Sequence, residues 1–227
     1  MEHNQHRSHK SLEYCVRHRH SIRFYKEDQP VDPQILRECL ALAQLAPSDS
    51  NIQNWRITIA SGTARNRIVS ALSNEAELHG PNVPPLPDDF KHFRSEFGHL
   101  LYGEQGYDIS RSDTEAHKAA GLRNYEFFGA PTVAVITMNK DLEYVDAMSV
   151  GLFVQTFMLA LTEKGLGSCL QVSVTGYPEV LRREFRLREE ERILCGMAIG
   201  WPAEHNRVND MVVPRENLEK EIRFLEE

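Results

Sequence analysis

The chain has 227 residues, 41% of them hydrophobic and 26% charged, and a net charge of −7. That length suits one large domain at roughly 150 residues per domain, with room for a core that needs no staples. The acidic balance argues against nucleic acid as a partner, and four cysteines without a C-x-x-C spacing argue against a disulfide scaffold or zinc ribbon and fit a reducing compartment.

The first 20 residues are polar and histidine-rich, unlike a secretory leader. No apolar run reaches the roughly 20 residues a bilayer crossing needs, so no membrane partner and a cytoplasmic location are expected. Six Lys/Arg against two Glu in residues 1–26 would also suit a mitochondrial presequence, but those arginines have another use, argued below. Residues 1–10 read as a flexible tail. His3, His6 and His9 recur there every third position, and read as a solvated terminus rather than a metal site; no metal-ligand set is assigned. A short helix is expected from Ser11 to about His18. A clearer one starts at Asp32-Pro33, an N-cap followed by a first-turn proline, with Ile35, Leu36, Cys39, Leu40 and Ala43 at helical spacing. Pro47 ends it in a loop through Asn51. Trp55, Ile57 and Ile59 alternate as a half-buried strand, and a helix follows from Thr63 to Leu78.

The stretch from about 79 to 112 differs in character. It carries Gly80, Pro81, Pro84, Pro85 and Pro87, then Phe90, Phe93, Phe97, Tyr102 and Tyr107. It reads as an irregular insertion with short helical pieces, a lid over a binding site. Thr132–Met138 is a buried strand. Asp146–Lys164 is the strongest helix, so apolar that it should be central, with Gly165 as its left-handed cap. Ser168–Val174 is a strand, Pro178–Phe185 a helix, and Ile193–Ile199 the last buried strand. The charged run Arg182–Arg192 reads as a solvated face. An irregular extension and a short amphipathic tail with Leu218, Ile222 and Leu225 close the chain. Neither G-x-G-x-x-G nor G-x-x-x-x-G-K-[ST] occurs, so neither a Rossmann domain nor a P-loop is indicated.

Four groups carry chemistry. Arg19-His20-Ser21-x-Arg23 places two guanidinium forks around a hydroxyl, a phosphate clamp, although alone a basic surface patch is the commoner cause of such a run. Ala46-Pro47-Ser48-x-x-Asn51-x-Gln53-x-Trp55 offers short donors and acceptors to a ligand rich in ring carbonyls and nitrogens, or serves as turn chemistry. Glu163-Lys164-Gly165-Leu166-Gly167-Ser168 allows backbone to approach something flat; a helix cap before a strand explains Gly165 fully and Gly167 partly. Cys169 after it reads as core rather than as a nucleophile. Arg215, in an extended segment past the last strand, is uninformative alone.

Together, and in this order over nearly the whole chain, R-x-S-x-R, A-P-S-x-x-N-x-Q-x-W, E-x-G-L-G-S and the late P-R resemble the FMN-dependent nitroreductase family. Leu122-Arg123-Asn124-Tyr125-Glu126-Phe127-Phe128-Gly129-Ala130-Pro131 and Cys169-Leu170-Gln171 resemble its nitrobenzoate reductase-like branch. The resemblance implies an α+β fold with a central mixed sheet flanked by helices, and a single FMN-binding domain over residues 11–227 with the lid inserted at about 79–112. It also implies an intertwined homodimer with FMN at the interface. Arg19, Ser21 and Arg215 would hold the phosphate, Arg23 the flavin N1/O2 edge, and His20 would lie beside them. Pro47, Ser48, Asn51 and Gln53 would come from the partner subunit, and the backbone of Leu170, Gln171 and Val172 would pass the flavin N5.

Two residues depart from the family pattern. Asn54 stands where proline is common, and Leu170 replaces a proline frequent in this branch. The activity implied is ping-pong reduction of nitroaromatics, quinones or similar electron-poor small molecules by NAD(P)H, the flavin carrying the hydride. Flavin-dependent dehydrogenation or reductive removal of a substituent is the competing reading, and a non-catalytic flavin-binding module the third. No side chain is singled out as catalytic. Phe90, Phe97, Tyr107, Phe127 and Phe128 are expected to shape the acceptor site.

Overall fold

The computed structural model describes residues 10–225; His3, His6 and His9 lie outside that range. Four strands, β1 (Arg56–Ser61), β2 (Thr132–Asn139), β3 (Gly167–Gln171) and β4 (Glu191–Gly200), form one sheet in the order β1-β2-β4-β3. All three pairings are antiparallel. The mixed character expected of the sheet is confined to one parallel bridge, Ser21 to Ser168, at the β3 edge. A bulge between Ile136 and Thr137 sets Leu194 out of the β2–β4 register.

Period-two alternation along β2 divides the core in two. Ala134, Ile136 and Met138 face a cluster built with helices α2 (Pro33–Ala43) and α6 (Tyr144–Glu163). Val133 and Val135 face the opposite cluster, built with α3 (Gly62–His79), α7 (Pro178–Phe185), Tyr125, Phe127 and Phe128. The expected α+β architecture is therefore a three-layer one, with the sheet in the middle.

Local chemistry fixes the helix ends. Asp32 accepts from the Gln34 amide at 2.8 Å, with Pro33 opening α2. Glu143 and Asp146 form a reciprocal capping box at the start of α6. Gly165 ends that helix at φ +82°, as the sequence implies. By length and composition this 20-residue helix is apolar enough to cross a bilayer, contrary to the expectation that no run is; half of it is buried within this fold. Its outer side leaves Tyr144 at 87%, Met148 at 63% and Leu152 at 44% exposure, one stripe at i, i+4 and i+8.

The stretch around 79–112 holds more order than expected. Its prolines end at Pro87, and α4 (Lys91–Tyr102) follows as a regular helix, after a 3₁₀ turn at Asp88–Phe90. Helix α5 (Thr114–Leu122), capped by Asp113, was not foreseen; its inner positions are small, with only Ala120 buried. Ser168–Val174 is strand only to Gln171, after which Ser173–Gly176 coils into a 3₁₀ turn. The charged run 182–192 is not wholly solvated. Glu191 is buried, accepting from the Thr137 hydroxyl and from Arg188 Nε at 3.0 Å.

Candidate functional site

The segment Arg19–Tyr25 runs beside β3. The Ile22 amide donates to Ser168 O at 3.1 Å, and Tyr25 bridges to Pro202. Ile22 and Tyr25 are buried against the core, while Arg19, Ser21 and Arg23, spaced two apart, line a cleft beside them. This packing also explains Gly167: a Cβ there would come within 2.5 Å of Ile22 Cγ1. The glycine admits the protein's own Ile22 rather than a flat ligand, which corrects the expectation for it.

Arg19, His20, Ser21, Arg23 and Arg215 line one open cleft of about 810 Å³. Burial, and then the charge of Arg215, push the Arg19 pKa below its ordinary value. Among the described residues no carboxylate pairs with either arginine, and Arg215 spends its hydrogen bonds on Val213 O and Pro214 O. Two guanidinium groups close enough to oppose one another, neither of them ion-paired although Asp210 lines the same cleft, form a donor set suited to a dianionic phosphate. His20 lines the same cleft, its Nδ1 at 2.6 Å from His18 O.

Arg23 and Phe97 also line a second cavity of about 480 Å³, so the two spaces adjoin. The Arg23 guanidinium lies 5.3 Å from the Phe97 ring centroid. Leu170, Gln171 and Val172 form its floor. Leu170 and Val172 are exposed there, whereas Gln171 is buried at 2%, donating to Asn124 O at 2.6 Å. The Gln171 Oε1 is buried without a partner, a free acceptor at that floor. Phe97, Tyr102 and Tyr107 come from the α4 side, and Phe128 from below. This donor set and the adjoining, partly aromatic space fit FMN.

Two residues that the sequence did not single out hold Arg23 in place. Asn209 accepts from the Arg23 and Phe24 amides at 2.9 and 3.1 Å and donates to Phe24 O at 2.8 Å. Arg123 donates to Arg23 O at 3.1 Å and lies 4.1 Å from the Phe24 ring centroid. Arg123 sits inside the quoted Leu122–Pro131 motif; nothing local marks Asn209.

Other expected residues lie elsewhere. Phe127 is buried in the core against Gly196 and Val174 rather than lining the cavity, because the chain turns through three successive positive φ values at Phe127, Phe128 and Gly129. Phe90 is exposed and touches Phe93. Pro47, Ser48, Asn51 and Gln53 line neither space within one chain. Their loop is strained, with positive φ at Ser50, Asn51 and Gln53. Its polar groups partly face one another: Ser48 Oγ accepts from the Gln53 amide at 3.0 Å, and Gln53 Oε1 accepts from Gln44 at 3.0 Å. Asn54, the departure from the family pattern, is buried and donates to Asp146 O at 3.0 Å. Trp55 stacks on Phe153 at 5.0 Å.

The cysteines offer no nucleophile. All four are free, and burial pushes Cys39 up to about 11 and Cys195 up to about 12. Cys169, at the cavity wall, is raised by burial as well, in keeping with its reading as core.

The chain is also similar to known proteins over most of its length. A model of the Nitroreductase family matches residues 16–201. A 4-nitrobenzoate reductase of Pseudomonas putida is 31% identical over 203 residues, covering 86% of this chain and 88% of its own. A nitrobenzene nitroreductase of Ectopseudomonas oleovorans is 32% identical, covering 88% and 91%. Among solved structures, the FMN-dependent nitroreductase NfnB of Mycobacterium smegmatis in complex with NADPH superposes with a TM-score of 0.86 at 30% identity, covering 94% of this chain and 97% of its own.

Proposed function

The chain belongs to the nitroreductase family, and from that premise we propose that it is an FMN-dependent oxidoreductase. It reduces nitroaromatics, quinones or similar electron-poor acceptors with NAD(P)H in alternating half-reactions. The observation that carries this reading is the half-buried Arg19 beside Arg215, with no carboxylate ion-paired to either among the described residues. FMN, when bound, supplies the hydride chemistry. Arg19, Ser21 and Arg215 would hold its phosphate, with His20 alongside. Arg23, its backbone steadied by Asn209 and Arg123, would present a fixed cation to the N1/O2 edge of a bound flavin. Leu170, Gln171 and Val172 would line that ring. The segment 79–112, with Phe97 and Tyr107 facing the cavity, acts as the lid that excludes water and sets acceptor shape.

The enzyme works as a homodimer with shared sites, formed by the single domain 11–227. Pro47, Ser48, Asn51 and Gln53 are absent from the groove of one chain, and reach the flavin from the partner. The Tyr144–Met148–Leu152 stripe and the exposed Leu218, Phe224 and Leu225 of the C-terminal segment support this reading. Four free cysteines support a cytoplasmic location. The test is direct. The purified protein should be yellow, and heat should release one FMN per chain on a chromatography column. FAD, or no flavin, overturns the reading.

A further inference from the structure

The cavity above Leu170–Val172 has an uneven charge. Arg23, Arg94 and His117 line it, and no Asp or Glu does, in a chain where acids outnumber Lys and Arg by seven. A smaller cavity of about 330 Å³ adjoins it across Gly98, Tyr102 and His117; it adds Arg111 and His99, again without an acid. Arg94 stands one turn before Phe97 and Gly98 on α4, at the edge of the aromatic space. Its Nη2 donates to Pro84 O at 3.0 Å, which ties it to the proline-rich start of the lid. Among the described residues it makes no ion pair, although Lys91, three residues earlier, pairs with Asp88. A guanidinium has five N–H donors, so one carbonyl leaves a fork free to grip a planar anion.

We propose that the acceptor site prefers aromatic molecules carrying a carboxylate, and that Arg94 at the mouth of the cavity recognises that carboxylate. The proposal rests on the reading of this cavity as the acceptor site over the flavin. The floor and the aromatic walls hold the ring; the free guanidinium fork holds the anionic end, away from the floor. Arg94 is a specificity residue, and it plays no part in holding FMN.

Benzoate and benzamide are near-isosteres that differ in charge and cannot be reduced here, so they separate recognition from turnover. Each is titrated into the FMN-loaded protein, and binding is read from the change in flavin absorbance. The wild type should bind benzoate on the order of tenfold more tightly than benzamide. Arg94→Gln should erase that preference while leaving benzamide affinity unchanged, which also reports an intact lid. Arg94→Lys should retain part of the preference. In steady state, Arg94→Gln should raise KM for 4-nitrobenzoate and leave KM for nitrobenzene alone. Equal affinity of the wild type for the two isosteres overturns the proposal, as does an undiminished benzoate preference in Arg94→Gln. If Arg94→Gln abolishes binding of both isosteres, so that no preference can be read, loss of the preference in Arg94→Lys overturns the proposal and retention supports it. If Arg94→Gln slows flavin reduction by NADPH and leaves benzoate binding intact, the arginine serves the donor's phosphates and the proposal falls. Failure of NADPH to reduce the wild-type flavin would instead strike the redox reading, with the isostere titration still deciding the carboxylate preference.

Discussion

Arg19 and Glu191 show two opposite uses of burial. Arg19 sits half-buried next to another cation, an arrangement that costs stability until an anion arrives. Arg19→Ala and Arg215→Ala should each weaken FMN binding roughly ten- to a hundredfold, the range of a hydrogen bond to a charged group. Activity should return at saturating FMN; equilibrium dialysis that finds Arg19→Ala binding FMN as tightly as wild type would relocate the phosphate site. Burial pushes the Glu191 pKa up, but the Thr137 hydroxyl and Arg188 outweigh it and hold it below the ordinary 4.5. A depressed carboxylate stabilises the fold above its unfolded pKa, and that contribution is lost as pH falls through the folded value. Glu191→Gln should therefore cost about 1–3 kcal/mol at pH 7, and markedly less at pH 3. Urea unfolding at the two pH values checks it; an equal loss at both would mean that the charge is not what matters. Arg123 and Asn209 belong to this scale too. Their work is to fix a backbone contributed from about 100 and 185 residues away, and no local pattern encodes that.

At the scale of elements, what was legible was what is locally caused. Asp32-Pro33 and Gly165 mark helix ends by chemistry that acts within a few residues, and α7 begins at a proline and spans the expected residues. Helix α4 was hidden because prolines just before it colour the whole stretch, and α5 because alanines give little periodicity. Phe127 was misread because an aromatic near a lid and an aromatic in a core look alike until the turn at Phe127–Gly129 is seen. The lid is anchored at its base. Asn82 Nδ2 donates to Gly176 O at 2.7 Å, the Asn82 amide donates to the Tyr125 hydroxyl at 2.8 Å, and Tyr177 donates to Gly80 O. A Cβ on Gly176 would fall 1.6 Å from Asn82 O, so Gly176→Ala must shift the start of the lid. FMN should stay bound, because no clamp residue lies there. The acceptor half-reaction should slow on the order of tenfold, as small misplacements in a site can. Stopped-flow rates indistinguishable from wild type would detach the lid base from specificity.

For the whole molecule, the dimer is the claim with the largest reach. Leu152→Glu puts a charge at the end of the Tyr144–Met148–Leu152 stripe, where a partner would leave it unpaired. Sedimentation should then report a 26.0 kDa species, and flavin should be lost with the partner's loop. A dimer that keeps both after this change would place the interface elsewhere. The loop Pro47–Gln53 is readable as a binding motif yet lines neither space within one chain, and the proposed dimer would give it a target on another copy.

The sheet leaves one more consequence. Between Ser61 and Thr132 the chain departs from β1 and returns to its neighbour β2, and the whole lid lies within that excursion. The entropy of closing such a loop grows only with the logarithm of its length, about 0.6 kcal/mol for each doubling. Lengthening or trimming the lid therefore scarcely taxes the pairing of β1 with β2. What constrains it instead are its contacts: the base anchors at Asn82 and Gly80, and farther along Leu101 against Val208 and Met211, with Arg207 reaching Asp108 at 3.2 Å. What the site admits can therefore change by rewriting one excursion and its footholds, while the four strands and the 19–25 segment beside β3 lie outside it.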